Sequence, residues 1–159
     1  METRRAFGAG VLRLDLADIL SVLPQRPPML LVDQVLSLVP GRHAVGVKAV
    51  SGNEFGLARR RVGFVFPATL GLEALTQLAA IVLLFDGAAA HAAPSAAAYR
   101  VTAVDRFEVQ REVGPGDALH LAVDVIDSAE GVFRVRGSAT TRGLQYLDVE
   151  FCLTCDAEG

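Results

Sequence analysis

The chain has 159 residues, enough for one domain with a core of its own. A composition of 52% hydrophobic against 21% charged residues excludes a disordered chain and points to a folded globular one. The net charge of −3 excludes a general basic footprint for nucleic acid, and two cysteines, Cys152 and Cys155, are too few for a disulfide scaffold.

Residues 1–14 hold no apolar stretch long enough for a secretory signal. They are expected to be poorly ordered, with residues 1–159 forming a single domain and the cytoplasm as its location. "DLADILSVLP" (15–24) reads as a short amphipathic helix with an acidic first turn and a proline stop. "MLLVDQVLSLV" (29–39) is rich in leucine and β-branched residues and reads as a strand. A "PGR" turn follows, and the alternating "HAVGVKAVS" (43–51) reads as the return strand. "GNEFGLARRRVGF" (52–64) has glycines, charges and no period, and reads as loop.

Pro67 stands where a helix can begin without a backbone N–H, and the apolar run behind it predicts a helix to about Phe85. Its length fits a membrane span. Glu73, Gln77, Thr69, Thr76 and the strand-like sequence on both sides argue instead for a helix buried in a soluble core. "DGAAAHAAPSAAA" (86–98) is a low-complexity surface connection. The remainder alternates apolar and polar residues in about four strands, with "GPGD" (114–117) as a turn between two of them. The plan is α+β: two strands, one long apolar helix, then an antiparallel set that wraps it.

Glu73 is the one charged residue between Val62 and Phe85. A carboxylate buried in such a helix must find a partner or take up a proton, which makes it a candidate for function. Thr69 and Gln77, four residues to either side, share its face and complete one polar seam. A structural carboxylate satisfied by a backbone group or an arginine is the alternative. Arg59, Arg60 and Arg61 stand just ahead of the helix. They read either as a solvated loop or as a dock for a phosphate or an acidic carrier protein. "CLTC" has the Cys-x-x-Cys spacing, but no further zinc ligands lie near it in sequence and it ends a strand, so both cysteines are expected to be core or strand-edge residues and no metal is expected.

Three blocks, "LPQRPPMLLVDQVLSLVPGRHAVGVKAVSGNE", "FPATLGLEALTQLAA" and "AVDRFEVQREVGPGDALHLAVDV", resemble in order the β-hydroxyacyl-acyl-carrier-protein dehydratases of fatty acid synthesis, over roughly residues 15–156. "LGLEALTQL" leans toward the dehydratase/isomerase branch. The resemblance implies the hotdog fold, an antiparallel sheet wrapped around one long central helix, built on dimers or higher oligomers. It also implies substrates carried on phosphopantetheine, by acyl carrier protein or as acyl-CoA, with no other cofactor. In that family a histidine in the loop before the helix abstracts the α-proton. A helix carboxylate from the other subunit handles the departing hydroxyl, and a backbone N–H at the helix start polarises the thioester carbonyl.

Carried over by position, the carboxylate is Glu73, the amide is that of Ala68, where the family usually has glycine, and Pro67 matches a family proline. The histidine's position falls on Arg59. No histidine lies between Ser51 and Thr69. His43, His91 and His120 are expected to be surface or strand histidines, and Gln25 stands where the family often has a further histidine. Arginine stays protonated and cannot be the base. It can pair with Glu73 or hold an anion such as the pantetheine phosphate. Four activities follow as expectations: altered or lost dehydration of acyl thioesters, isomerisation or hydrolysis through Glu73, acyl-thioester binding as the inactive partner of a competent subunit, or dehydration with a base placed elsewhere.

Overall fold

The structure, a computed structural model, describes residues 11–85 and 98–156, the side chains of 98, 155 and 156 excepted. The connection predicted over residues 86–98 therefore falls outside the described residues up to residue 97, and so does His91.

The described residues open with β1 (Leu12–Leu14), which pairs antiparallel with β2 (Gln34–Val39). The expectation of poor order at residues 1–14 thus fails at its C-terminal end. Leu14 is buried and gives the segment a reason to pair. Helix α1 (Leu16–Val22) starts at Asp15, whose side chain accepts from the Asp18 amide while the Asp18 side chain accepts from the Asp15 amide. This reciprocal cap satisfies two N–H groups that the first turn would otherwise leave unpaired.

The predicted strand from residue 29 begins only at Gln34. The backbone groups of Met29 and Leu31 are taken instead by the Gln77 side chain, which withdraws them from the sheet. The return strand is β3 (His43–Ala49), as predicted. The stretch read as loop contains a small hairpin, β4 (Ala58–Arg59) against β5 (Phe64–Val65), closed by a hydrogen bond from the Arg60 amide to the Gly63 carbonyl. Two residue pairs are too few to leave a period in the sequence.

Helix α2 (Ala68–Leu84) follows, with Pro67 as N-cap and Phe85 as C-cap, on the predicted boundaries. Strands β6 (Ala98–Val109), β7 (Ala118–Ala129), β8 (Val132–Thr141) and β9 (Leu144–Asp156) complete a seven-stranded antiparallel sheet in the order β1-β2-β3-β7-β8-β9-β6. Its inner face closes on α2. Leu75, Leu78, Ile81 and Val82 of the helix pack into a core with Leu119, Leu121, Val135, Val149 and Phe151. The period-2 alternation puts the complementary polar set outside, where Arg134 meets Glu150 at 2.6 Å and Arg106 meets Glu108 at 2.9 Å. No helix of the described residues is long and apolar enough to cross a membrane.

The turn before β7 lies directly on the approach to α2. A Cβ on Gly114 would stand 2.5 Å from the carbonyl oxygen of Phe64, and the Phe66 amide bonds the carbonyl of Val113. Gly114→Ala is therefore expected to cost about 1–3 kcal/mol by forcing two backbone segments apart. Thermal melting should show a fall of about 3–10 °C. An unchanged melting temperature would show that the two segments are not held this close.

Candidate active site on the central helix

Helix α2 is covered on the side facing the sheet. The side that carries Thr69, Leu72, Glu73 and Thr76 is only partly covered. Glu73 is accordingly half-buried in the single chain rather than deeply buried. Gln77 is 1% exposed, and its amide is fully engaged. Its Oε1 accepts from the Leu31 amide at 2.9 Å, and its Nε2 donates to the Met29 carbonyl at 2.7 Å and to Glu73 Oε1 at 2.9 Å. The two backbone groups fix which way the amide points, so an N–H always faces Glu73. Oε2 of Glu73 has no hydrogen-bond partner among the described residues. One carboxylate oxygen is thus anchored and the other is available for proton transfer.

The N-terminal turn of α2 supplies the second element. Pro67 offers no side-chain cap, and no acidic residue lies in the first turn. The amides of Ala68 and Thr69 have no partner among the described residues, so the positive end of the helix is open. A cavity of about 300 Å³ lies there, lined by Pro67, Ala68 and Thr69 together with Arg60, Arg111 and Tyr146. A smaller one, of about 80 Å³, is lined by Gln77 and Thr76 with Gln25, whose side-chain oxygen is buried without a partner among the described residues.

Among the predicted site residues, Glu73 and Gln77 are hydrogen-bonded, and Pro67, Ala68 and Thr69 share the larger cavity. Thr69 makes no hydrogen bond to Glu73. Arg59 stands apart: it is exposed on β4 and pairs with no described side chain, Glu73 included. Its neighbour Arg60 meets Glu112 at 3.3 Å, both exposed, a pair worth about 0–1 kcal/mol. His43 sits 2.8 Å from Asp124 across β3 and β7, and His120 is exposed on β7. Cys152 is a half-buried free cysteine on β9.

Two features were not foreseen. Lys48 and Glu54 form a buried ion pair at 2.5 Å beneath the loop that leads to β4. Tyr146 reaches the helix-start cavity because a bulge interrupts β9. Its trace in the sequence is the pair Tyr146-Leu147, two apolar residues in succession inside an alternating strand.

Comparison with known proteins agrees with this architecture. The FabA-like domain family matches residues 23–149. The 3-hydroxyacyl-[acyl-carrier-protein] dehydratase FabZ of Geobacillus thermodenitrificans is 34% identical over 142 residues, covering 86% of this chain and 92% of that protein. The FabZ of Pelotomaculum thermopropionicum is 37% identical over 131 residues, covering 79% and 87%. Among solved structures, the dehydratase heterocomplex ApeI:P of Xenorhabdus doucetiae superimposes with a TM-score of 0.74 at 15% identity, over 89% of this chain and 92% of that one. A sheet closed on one apolar helix, a proline-capped helix start with free amides, and a family match over most of the length converge: this chain belongs to the FabA-like hotdog family, among the relatives of the FabZ dehydratases.

Proposed function

We propose that this chain binds β-hydroxyacyl or enoyl thioesters carried on the phosphopantetheine arm of an acyl carrier protein in the cytoplasm, in fatty acid or polyketide synthesis. Glu73 is the carboxylate half of a dehydration site whose histidine half is lacking. The observation that carries this reading is the anchoring of Glu73: the single charge of α2 is held through one oxygen by a side chain that two backbone groups fix in turn. A carboxylate kept only for the fold would use both oxygens or sit against a cation, and Glu73 does neither among the described residues.

The site is completed by a second subunit. Strand β6 forms the edge of the sheet, and two bulges keep its apolar residues on the inner side, opposite core residues of β9. Val104, Phe107 and Val109 remain 44%, 39% and 47% exposed there. A long edge strand with uncovered apolar side chains calls for a partner. A homodimer provides one. A heteromeric partner is the second reading, favoured by the lack of any histidine between Ser51 and Thr69. The Xenorhabdus structure, matched in fold, is a dehydratase heterocomplex, and a companion subunit of that kind would supply the base in trans.

The test is binding of an enoyl-pantetheine amide together with turnover of a 3-hydroxyacyl thioester by the purified chain. Binding is expected, with dehydration slower than that of an intact dehydratase by about 10²–10⁴, the contribution of one positioned base. Glu73→Gln should retain fold and binding and remove any residual turnover, whether measured as dehydration, double-bond shift or release of free thiol. Failure to bind, or dehydration at an ordinary enzyme rate, would overturn the reading.

A further inference from the structure

The register between β8 and β9 steps from Ala139 opposite Leu147 to Thr140 opposite Gln145, so Tyr146 is the extra residue of a β-bulge. The bulge turns Tyr146 and Leu147, neighbours in sequence, both inward, to 1% and 0% exposure. Bulges re-aim side chains in this way, and they are frequent beside active sites. The Tyr146 ring lies against Gly71, the fourth residue of α2. A Cβ at Gly71 would stand 3.2 Å from ring atom Cε1 and 3.3 Å from the hydroxyl oxygen, so glycine makes the space that the ring occupies.

The Tyr146 hydroxyl is buried and has no hydrogen-bond partner among the described residues. Buried polar groups are nearly always paired, and one left unpaired weakens the fold. Burial pushes the phenol up to about 12, so it stays protonated and can donate. Tyr146 also lines the cavity at the start of α2 with Ala68 and Thr69, whose amides are free. Of the two guanidinium groups at that cavity, Arg60 meets Glu112 and Arg111 donates through Nε to the Gln145 carbonyl, and each keeps further N–H groups suited to an anion such as a phosphate. The phenol and the two backbone amides are uncharged donors that have no acceptor among the described residues.

We propose that Tyr146 is a substrate-binding residue, its hydroxyl donating, beside the Ala68 amide, to the thioester carbonyl oxygen of an acyl-pantetheine seated in this cavity. The inference rests on the acyl-thioester reading above and assigns that site a side-chain donor. None of the three motif blocks contains it.

Tyr146→Phe removes the oxygen and keeps the ring. Two probes separate the outcomes: the enoyl-pantetheine amide, which keeps the carbonyl, and an S-alkyl pantetheine, which lacks it. By titration calorimetry the variant is expected to bind the amide about tenfold more weakly, as for the loss of one buried hydrogen bond, and to bind the S-alkyl probe as the parent does. Its melting temperature should be equal or slightly higher, because an unpaired hydroxyl is gone from the unliganded chain. Equal binding of the amide by parent and variant would overturn the role of Tyr146 and leave the thioester reading standing. Weakening of both probes together with a lower melting temperature would show Tyr146 to be structural, and overturn it as well. If the parent binds neither probe, the thioester reading fails and takes this inference with it.

Discussion

Arg59→His is expected to raise the dehydration of a 3-hydroxyacyl thioester by about 10²–10⁴ over the parent chain, the contribution of a single positioned general base. The position suits the experiment. Arg59 lies on β4, where its backbone is held in register opposite Phe64, so a new side chain departs from a defined point. The arginine is exposed and its side chain pairs with no described residue, so its removal breaks no ion pair or hydrogen bond among them and should change stability by less than about 0.5 kcal/mol. Arginine carries its proton throughout the accessible pH range, whereas histidine titrates near pH 6.5 and is largely free to accept above it. The gained rate should therefore rise with pH through about 6–7, a profile the parent lacks. Glu73→Gln added to Arg59→His should abolish the gain, because the two residues act as one unit. A well-folded Arg59→His chain that binds substrate and shows no added turnover would count against Glu73 as half of a pair.

The largest loss of stability is expected at Lys48, the chain's one lysine. Lys48 is 4% exposed, its ammonium group lies 2.5 Å from Glu54 Oε1, and it donates to the Ala49 carbonyl at 2.7 Å. Glu54 Oε1 also accepts from the Ser51 amide. Lys48→Met leaves a buried carboxylate without its cation, and breaking a buried pair from one side costs about 3–5 kcal/mol. Thermal melting should fall by about 6–20 °C for a chain of this size. Lys48→Met with Glu54→Leu should recover most of that loss, since an apolar pair of similar volume avoids the desolvation of both charges. A single variant that melts with the parent would show that the pair is open to water. The pair also pins residues 49–54, and so the lead into the β4–β5 hairpin that carries Arg59. Activity in Arg59→His should therefore be lost when Lys48→Met is added, even below the melting temperature.

Much of the architecture is local in origin, and that part was open to reading. Pro67 and the unbroken apolar run behind it set both ends of α2. Asp15 caps α1, with Asp18 completing the cap. The alternation of residues 98–156 encodes four strands whose inner sets meet the helix. Glu73 was visible as a charge in an apolar helix, and Gln77 as its neighbour one turn on.

The remainder depends on groups far apart in sequence. Residues 29–33 have the composition of a strand and do not form one: Gln77, 46 residues beyond Leu31, takes the Leu31 amide and the Met29 carbonyl, and the amides of Met29 and Leu30 turn back to Arg26. Propensity yields there to a long-range hydrogen bond. The β4–β5 hairpin is held against the turn at Gly114, which no local pattern encodes. Tyr146 reached the candidate site through a register step between two strands, and register is a property of the pairing rather than of either strand.

By itself, then, the amino-acid sequence determined the fold class, the central helix and the carboxylate it carries, because periodicity, capping and a lone charge act over a few residues. The tertiary structure decided which oxygen of Glu73 is held by Gln77, which helix-start donors lack acceptors among the described residues, and that a tyrosine from β9 joins them. Those depend on packing between segments that meet only when the sheet closes on the helix.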